Sequence, residues 1–429
     1  MRLQANTIPD HSGIVGFKAL LGLDGTCITR GVDETLNRER YSDRTCSSEE
    51  TFARVSPLLA HYGVTRVARQ TGLDRIGIPV WTAIRPNSLS LAVNQGKGIE
   101  DADARISAVM EALERAVAGV PEIAKRAATQ AEMQAAGQAV DPLSGLIARG
   151  KAAIADDDPV SWVEGYDLIS EQPVRVPLDA VMLDRTVETR FWQSSDGLAS
   201  GNTPLEATFH GLLERVERDA EVLWSFAKPM QRAEHCIDPS AFGDPVIDAL
   251  AAKIDQAGLL LRLFEITSDI GIPCFSALIG PDDIRQRRNV RYAEAANGSG
   301  CHPDPVRAAI RAMTEAAQSR LSLISGARDD VPAELYSRPM PDSLIEDFTI
   351  EPSRAEFHTD AGGSIAEQLQ LILRALKQQA VTSVIAVPLN PSGSPFSVVK
   401  VLVPQLENPP GDRRARFGAR ALARMMRPG

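Results

Sequence analysis

Read for its alternation of apolar and polar positions, the chain breaks into helical and extended stretches that succeed one another almost to its end. In SSEETFARVSPLLAHYG, Phe52, Val55, Leu59 and Tyr62 recur at helical spacing, and Ser47 with Glu50 three residues on fits a capping box, so one docked helix is expected. Apolar runs at IGIPVWTAI (76–84) and SLSLAV (88–93) predict strands, followed by a Gly-rich loop and a long amphipathic helix. Residues 120–158, rich in Ala and Gln, predict a helical excursion on the surface. Two strands around a turn at Ser170–Pro173 are expected in 162–183, and LLLRLFEI (259–266) with IPCFSALIG (272–280) predicts a further strand-rich stretch. A helix opened by Ser364 and Glu367 then leads into VTSVIAVPL, a PSGSP turn and FSVVKVLVP, a hairpin or a crossover. The class expected is α/β or α+β, with mixed sheets packed against helices. An N-terminal lobe is expected over 1–75, a main domain over 76–405, and a basic, Pro-containing, mobile tail over 406–429.

One pattern occurs three times. Gly98 precedes Ala104, Ile106, Glu111 and Glu114; Gly201 precedes Ala207, Phe209, Glu214 and Glu217; Gly300 precedes Ala308, Ile310, Glu315 and Gln318. The central glutamates lie 103 and then 101 residues apart. At ~100° per residue Ser107, Glu111 and Glu114 share one side of a helix, while Val109, Leu113 and Val117 share the other. For a single copy the plain reading is a solvated face with ion pairs to Arg115, Arg218 or Arg320. An ordinary surface has no reason to repeat its acids in register, so three copies favour a site. Helix starts after glycines attract phosphate, and glutamates three residues apart hold hard cations through their oxygens. Packed together, two such faces would place four carboxylates around one cavity suited to Mg2+ and the phosphates of a nucleotide. No Walker A motif is present, because GKG at 96–98 is followed by Ile99.

Further candidates each have a structural alternative. Glu206 either completes a capping box with Thr203 or serves a ligand, and Asn202 is either a loop residue or a nucleotide contact. Arg218 and Arg311 either pair with neighbouring glutamates or bind phosphoryl oxygens, for which a planar guanidinium is suited. For His210, one turn before Glu214, a structural hydrogen bond is expected, and for Cys301 beside His302 a loop.

Composition narrows the classes. The 429 residues are long enough for two or three lobes, and 44% hydrophobic with 24% charged residues is ordinary for a globular protein. With 46 Lys+Arg against 56 Asp+Glu, the net charge of −10 argues against nucleic acid as a partner. No apolar run is long enough to span a bilayer and no secretory pattern opens the chain, so a cytoplasmic protein without membrane contact is expected. The five scattered cysteines suggest buried thiols and neither a disulfide framework nor a zinc site.

The segments GLDRIGIPVWTAIRPNSLSL, QGKG, ARISAVMEALER, SSDGLASGNTPLEATFHGLLERVERDA and GSGCHPDPVRAAIRAMTEAAQSRLSLISGARDD, spread over residues 72–330, resemble the YcaO family. The resemblance implies a YcaO-type ATP-binding catalytic domain over 76–405, ATP and Mg2+ as cofactors, and phosphorylation of a peptide backbone amide oxygen in modifying a ribosomal peptide or protein. Carried across by motif, Glu111, Glu114, Glu214 and Glu217 would hold metal. Ser107, Asn202, Glu206, Arg218, Arg311 and Glu315 would bind nucleotide, with Arg218 and Arg311 acting in catalysis. Asn202 and Glu206 rest mainly on the resemblance. The blocks IGIPVW, RPNS, QGKG and EAAQSRLSLISGARDD most resemble the subgroup that works with a TfuA-like partner protein, which implies thioamide formation, a sulfur donor and a homodimer. Azoline-forming members end in a Pro-rich C-terminus, whereas this chain ends Arg427-Pro428-Gly429. An azoline-forming cyclodehydratase and a non-catalytic ATP-binding accessory protein are the alternatives.

Overall fold

Ser47 and Glu50 form the reciprocal capping box expected of them and open helix α1 (Ser48–Val55). In the computed structural model the described residues are Leu21, 41–353, Phe357, 362–409 and 417–426. β1 (Arg66–Arg69), β2 (Val80–Ile84) and β3 (Val93–Lys97) follow as one antiparallel sheet. The strand expected over 88–93 lies further on. Arg85 N donates to Ala92 O and Ser88 N to Arg85 O, which folds most of SLSLAV into the hairpin loop and leaves Val93 opposite Ile84. The supposed Gly-rich loop is therefore largely strand.

α2 (Asp101–Gly119) is the first helix with an acidic face. The stretch after it is not the surface helical excursion that its composition predicts: it holds β4 (Lys125–Ala128), the short α3 (Gln130–Ala135) and irregular chain. Met133, Leu143, Ile147 and Ile154 are buried there, and anchoring them to the core outweighs the helix propensity of Ala and Gln. β5 (Val160–Asp167) and β6 (Gln172–Pro177) form the expected hairpin. β7 (Leu198–Gly201) leads into α4 (Pro204–Trp224), followed by α5 (Pro229–Glu234), β8 (Cys236–Ile237) and α6 (Pro245–Gln256). The expected stretch after that is β9 (Leu259–Glu265) paired with β10 (Cys274–Pro281). β11 (Ala296–Cys301) feeds α7 (Pro305–Ser325), and α8 (Asp342–Thr349) and α9 (Ile365–Gln378) come next. β12 (Ile385–Pro388) and β13 (Ser397–Leu402) pair antiparallel, which makes the last strand pair a hairpin.

Among the described residues the strands form three sheets, ordered β1-β2-β3, β11-β10-β9-β8 and β4-β5-β12-β13-β7, with β6 paired on β5. The largest is covered on both faces. Val109, Leu113 and Val117 of α2 pack with Ile385, Val387 and Val398 on one face; Phe209, Leu212 and Val216 of α4 pack with Ala386, Val399 and Val401 on the other. The alternation of Val398 and Val399 between the two cores is the period of a strand buried on both sides.

The three copies of the repeat are three strand–helix units, β3–α2, β7–α4 and β11–α7, and each strand belongs to a different sheet. Each helix lies on its own strand, and in addition α2 meets β7, α4 meets β11 and α7 meets β3, so the units close into a ring. Glycines permit the close approach. A Cβ at Gly98 would sit 2.6 Å from Ala104 N, one at Gly201 2.8 Å from Ala207 N, and one at Gly300 2.1 Å from Ala308 O. The glycines thus work by lacking a side chain within or beside strands, not by making the phosphate-attracting turns that the repeat suggests, and the first turns of α4 and α7 are already capped by Thr203 and Asp304.

Part of the tail expected to be mobile is docked. α10 (Ala419–Met426) lies against α4, where Arg420 donates from Nε to Asp219 Oδ1 at 2.9 Å and from Nη2 to Oδ2 at 2.8 Å. Glu407 accepts from Gly418 N at 2.8 Å and from Ala421 N at 2.9 Å, satisfying donors at the start of α10. Residues 410–416 and 427–429 of that tail lie outside the described residues. No helix among the described residues is long and apolar enough to cross a membrane.

Gly300→Ala forces a methyl group into the backbone of α7 and is expected to lower unfolding stability by about 3 kcal/mol, whereas Gly72→Ala, with nothing within 4 Å, is expected to change it by less than about 1 kcal/mol. Urea unfolding of the two variants followed by circular dichroism measures both, and equal midpoints would remove the packing role of the repeated glycines.

Candidate functional site

The polar stripes of α2, α4 and α7 turn toward one another where the ring closes. On α2, Glu111 Oε2 accepts from Gln95 N at 3.1 Å and Oε1 from Arg115 Nε at 3.0 Å, which fixes its carboxylate between its own helix and β3. Glu114 accepts from Ser200 Oγ of β7 at 3.1 Å. Ser107, a turn earlier, has no side-chain hydrogen bond among the described residues.

α4 contributes the most. Glu214 Oε2 accepts from Gly197 N at 3.0 Å. Arg218 holds four carboxylates, with 2.6 Å to Glu221, 3.4 Å to Glu217, 3.6 Å to Asp196 and 3.7 Å to Glu214. Of its two sequence readings, pairing with neighbouring glutamates is therefore realised. Arg311 on α7 differs: it makes no hydrogen bond or ion pair among the described residues, and its Nε is buried. A guanidinium left unpaired among carboxylates is a vacancy for an anion. Glu315, one turn on, pairs with Lys97 of β3.

Glu206 is wholly buried and already saturated. It accepts from Thr45 N at 2.6 Å and Thr45 Oγ1 at 2.5 Å, from Asn202 N at 2.9 Å and Nδ2 at 3.2 Å, and pairs with Arg44 at 3.5 Å. Thr203 does cap Glu206 N, but the carboxylate reaches back to Asn202 and residues 44–45 instead of closing the box on Thr203. Asn202 Oδ1 accepts from Thr51 Oγ1 at 3.0 Å, which ties α1 to the same corner.

Residues far apart in the chain complete the surroundings. Asp43 pairs with Arg307 at 2.6 Å and with His302 Nε2 at 3.2 Å. His302 Nδ1 accepts from Asp304 N at 2.9 Å, so the proton sits on Nε2 and points at Asp43. Against the burial that would raise it, the hydrogen bond and charge of His302 hold the Asp43 carboxyl well below the usual range. His302 thus follows strand β11 as a loop residue that orients the start of α7, while the Cys301 thiol is buried in the core. Lys400 of β13 donates to the carbonyls of Ser194 and Asp196 at 2.7 and 2.8 Å, bracing the loop whose Gly197 N–H meets Glu214. None of Lys97, Asp43, His302 and Lys400 was singled out for the site from the sequence, although Lys97 and His302 lie in segments that carry the family resemblance and Lys400 in an expected strand. The hydrogen bond expected of His210 is absent: both its ring nitrogens are buried without partners among the described residues.

Electrostatics explain what the arrangement lacks. Burial, then the charge of Glu111, raises the proton affinity of Glu114 well above the carboxylate norm. Burial raises Glu214 as well, and lifts Glu217 to about 7. Glu315 is lowered in spite of its burial, because Lys97 and Arg218 stabilise its charge. Carboxylates that raise one another are waiting for positive charge. The cavity of four converging carboxylates expected from the repeat is not preformed, since among the described residues no three His, Cys, Asp or Glu side chains come together closely enough to hold a metal ion. Their bonds to Arg115, Ser200, Gly197 and Arg218 keep them apart. That suits Mg2+, which takes one or two carboxylates and fills its shell with water and substrate phosphates.

Comparison with known proteins bears on the whole chain. A family model described as YcaO cyclodehydratase, ATP- and Mg2+-binding, matches residues 95–407. An uncharacterized protein encoded in the tfuA 3′ region of Rhizobium leguminosarum bv. trifolii is 41% identical over 392 residues, covering 89% of this chain and 93% of that protein. Among solved structures, YcaO from Methanopyrus kandleri bound with AMPPCP and Mg2+ superposes with a TM-score of 0.64 at 23% identity, over 88% of this chain and 96% of that one. A heterocyclase in complex with substrate and cofactor superposes with a TM-score of 0.68 at 20% identity, over 85% of this chain and 53% of that one. At these identities the two structures show a shared mixed α/β fold.

Raised carboxyls bind more protons in the folded than in the unfolded chain between the ordinary carboxylate range and about pH 7 for Glu217. The metal-free protein is therefore expected to lose thermal stability as pH climbs through that window, while Mg2+ with a nonhydrolysable ATP analogue binds more tightly as the protons leave. Calorimetric titration and melting curves from about pH 5 to about pH 8 test both trends, and a metal-free midpoint that climbs throughout contradicts these charge states.

Proposed function

The chain belongs to the YcaO family, and on that premise we propose that it spends ATP, with Mg2+, to activate a backbone amide of a peptide or protein, with a thioamide as the product. The observation that supports the reading is the ring itself: glutamates from α2, α4 and α7 face it, and among the described residues Arg311 stands there without a partner. Such a set fits the triphosphate of a nucleotide and its cation, and a family described as ATP- and Mg2+-binding agrees with it.

ATP supplies the phosphoryl group that turns the amide oxygen, a poor leaving group, into phosphate, a good one. The chain's part is placement and charge. Glu111, Glu114, Glu214 and Glu217 would hold Mg2+, and Ser107 and Glu315 flank them on α2 and α7. Arg311 would take phosphoryl oxygens directly. Arg218, already shared among four acids, would be freed toward the phosphates as cations take over its carboxylates. Glu206 contributes by holding Asn202, Arg44 and Thr45 as a wall of the site, since its own oxygens are engaged.

Context supports the thioamide: an uncharacterized relative with 93% of its length matched is encoded in the tfuA 3′ region, in line with a TfuA-like partner that brings sulfur or presents the peptide. The family's description as a cyclodehydratase favours a second reading, azoline formation by a side chain of the substrate. Incubating the full chain with ATP, Mg2+, sulfide, a TfuA-like protein and candidate peptide separates them by mass. Exchange of one oxygen for sulfur is expected, loss of one water would establish the second reading, and an unchanged peptide with tight ATP binding would leave only an accessory role. Glu214→Gln is expected to cut ATP turnover by at least about a hundredfold with an unchanged far-ultraviolet spectrum. Full turnover by that variant would sink the proposed metal site.

A further inference from the structure

The stripe of α4 carries one polar side chain that the ion pairs and hydrogen bonds of the site leave unexplained. His210 lies one turn after Glu206 and one turn before Glu214, on the side of the helix that faces the site. Nδ1 and Nε2 are both buried, and neither has a hydrogen-bond partner among the described residues. Buried polar groups are rarely left so, and two orphaned atoms on one ring point to a ligand. The charges of Arg44 and Asp43 from the N-terminal segment, and of Arg311 and His302 from the third unit, act on it. Burial, then the charge of Arg44, pushes its proton affinity well below the ordinary value. The ring is neutral, with one nitrogen donating and the other accepting.

A neutral imidazole between two guanidinium groups is a poor phosphate ligand. Phosphoryl oxygens only accept, so they satisfy the protonated nitrogen and oppose the lone pair of the other, and Arg44 and Arg311 are better donors to them. A hydroxyl both donates and accepts and serves either nitrogen. Along the helix His210 stands about 6 Å before Glu214, on the side of Asn202 and Glu206. With phosphates held along Glu214 and Glu217, His210 is one helical turn away, within reach of the remainder of the nucleotide.

We propose that His210 is a nucleotide-binding residue whose imidazole receives a ribose hydroxyl of the nucleoside triphosphate. This rests on the ATP-dependent reading and adds to it how the chain would tell a ribonucleotide from a bare polyphosphate.

Calorimetric titration of the full chain in Mg2+ with a nonhydrolysable ATP analogue, its 2′-deoxy and 3′-deoxy counterparts, and inorganic tripolyphosphate tests the proposal without turnover. The wild-type chain is expected to bind the ribonucleotide about tenfold more tightly than one of the deoxy forms. His210→Phe is expected to erase that preference and leave tripolyphosphate binding unchanged, and His210→Gln, which keeps a donor and an acceptor, to restore part of it. Equal binding of the ribo and both deoxy forms by the wild-type chain overturns the assignment before any variant is made. Equal weakening of nucleotide and tripolyphosphate in both variants overturns it too, in favour of a phosphoryl contact. A wild-type chain that binds neither nucleotide nor tripolyphosphate defeats the ATP reading itself.

Discussion

Carboxylates from three helices share one interior in this protein, and their mutual repulsion is the force the fold has to contain. Burial raises the proton affinity of Glu114 and Glu217, and the charges of Glu111 and Glu214 on the former and of Glu315 on the latter raise it further. Left alone, such a group would drive its helices apart or stay protonated. Two devices prevent this. Cations are built in, Arg115 and Arg218 from the same helices as their carboxylates and Lys97 and Lys400 from β3 and β13. The helices are also fastened to strands at glycines, where backbone meets backbone with no side chain between to yield.

The second device explains the architecture. Each unit takes its strand from a different sheet, yet each helix also touches the strand of the next unit, so moving one helix disturbs all three. The two-faced burial of the largest sheet serves the same end, with α2 and α4 pressed on opposite faces by apolar residues from alternate positions of β13. The carboxylates are thus held by packing that has nothing to do with their charge. On the reading proposed above, cations arriving with a nucleotide would replace arginine and lysine as their partners, so that a reshuffling of ion pairs would serve in place of a preformed cage.

Much of this was legible in the residues. The period of 3.6 exposed the acidic stripes, and the repetition distinguished them from a solvated surface, because both are properties of local spacing. What local spacing does not hold is the identity of partners. Lys97 meets Glu315, Asp43 meets His302 and Arg307, and Glu206 meets Thr45 across distances in the chain that no motif spans. The glycines were visible but their purpose was not, since a glycine needed for clearance and one needed for a phosphate-binding turn read alike. The stretch over 120–158 misled for a related reason: propensity is weak, and four buried side chains suffice to override it. His210 is the reverse case, a residue whose sequence suggests an ordinary hydrogen bond and whose surroundings supply none.

The ion pair between Asp219 and Arg420 bears on how the molecule comes into being. Asp219 is completely buried on the helix that carries Glu214 and Glu217, and its guanidinium partner lies 201 residues later in the chain. During synthesis from the N-terminus, α4 is made long before Arg420, and until then Asp219 has the charge of Arg215 near it but lacks the guanidinium that engages both its oxygens. The helix most charged with ligands therefore gains its last anchor only when Arg420 has emerged. A product released before that point would carry a more loosely held α4. Synthesis through Arg420 in this way completes the fastening of the helix that carries Glu214 and Glu217.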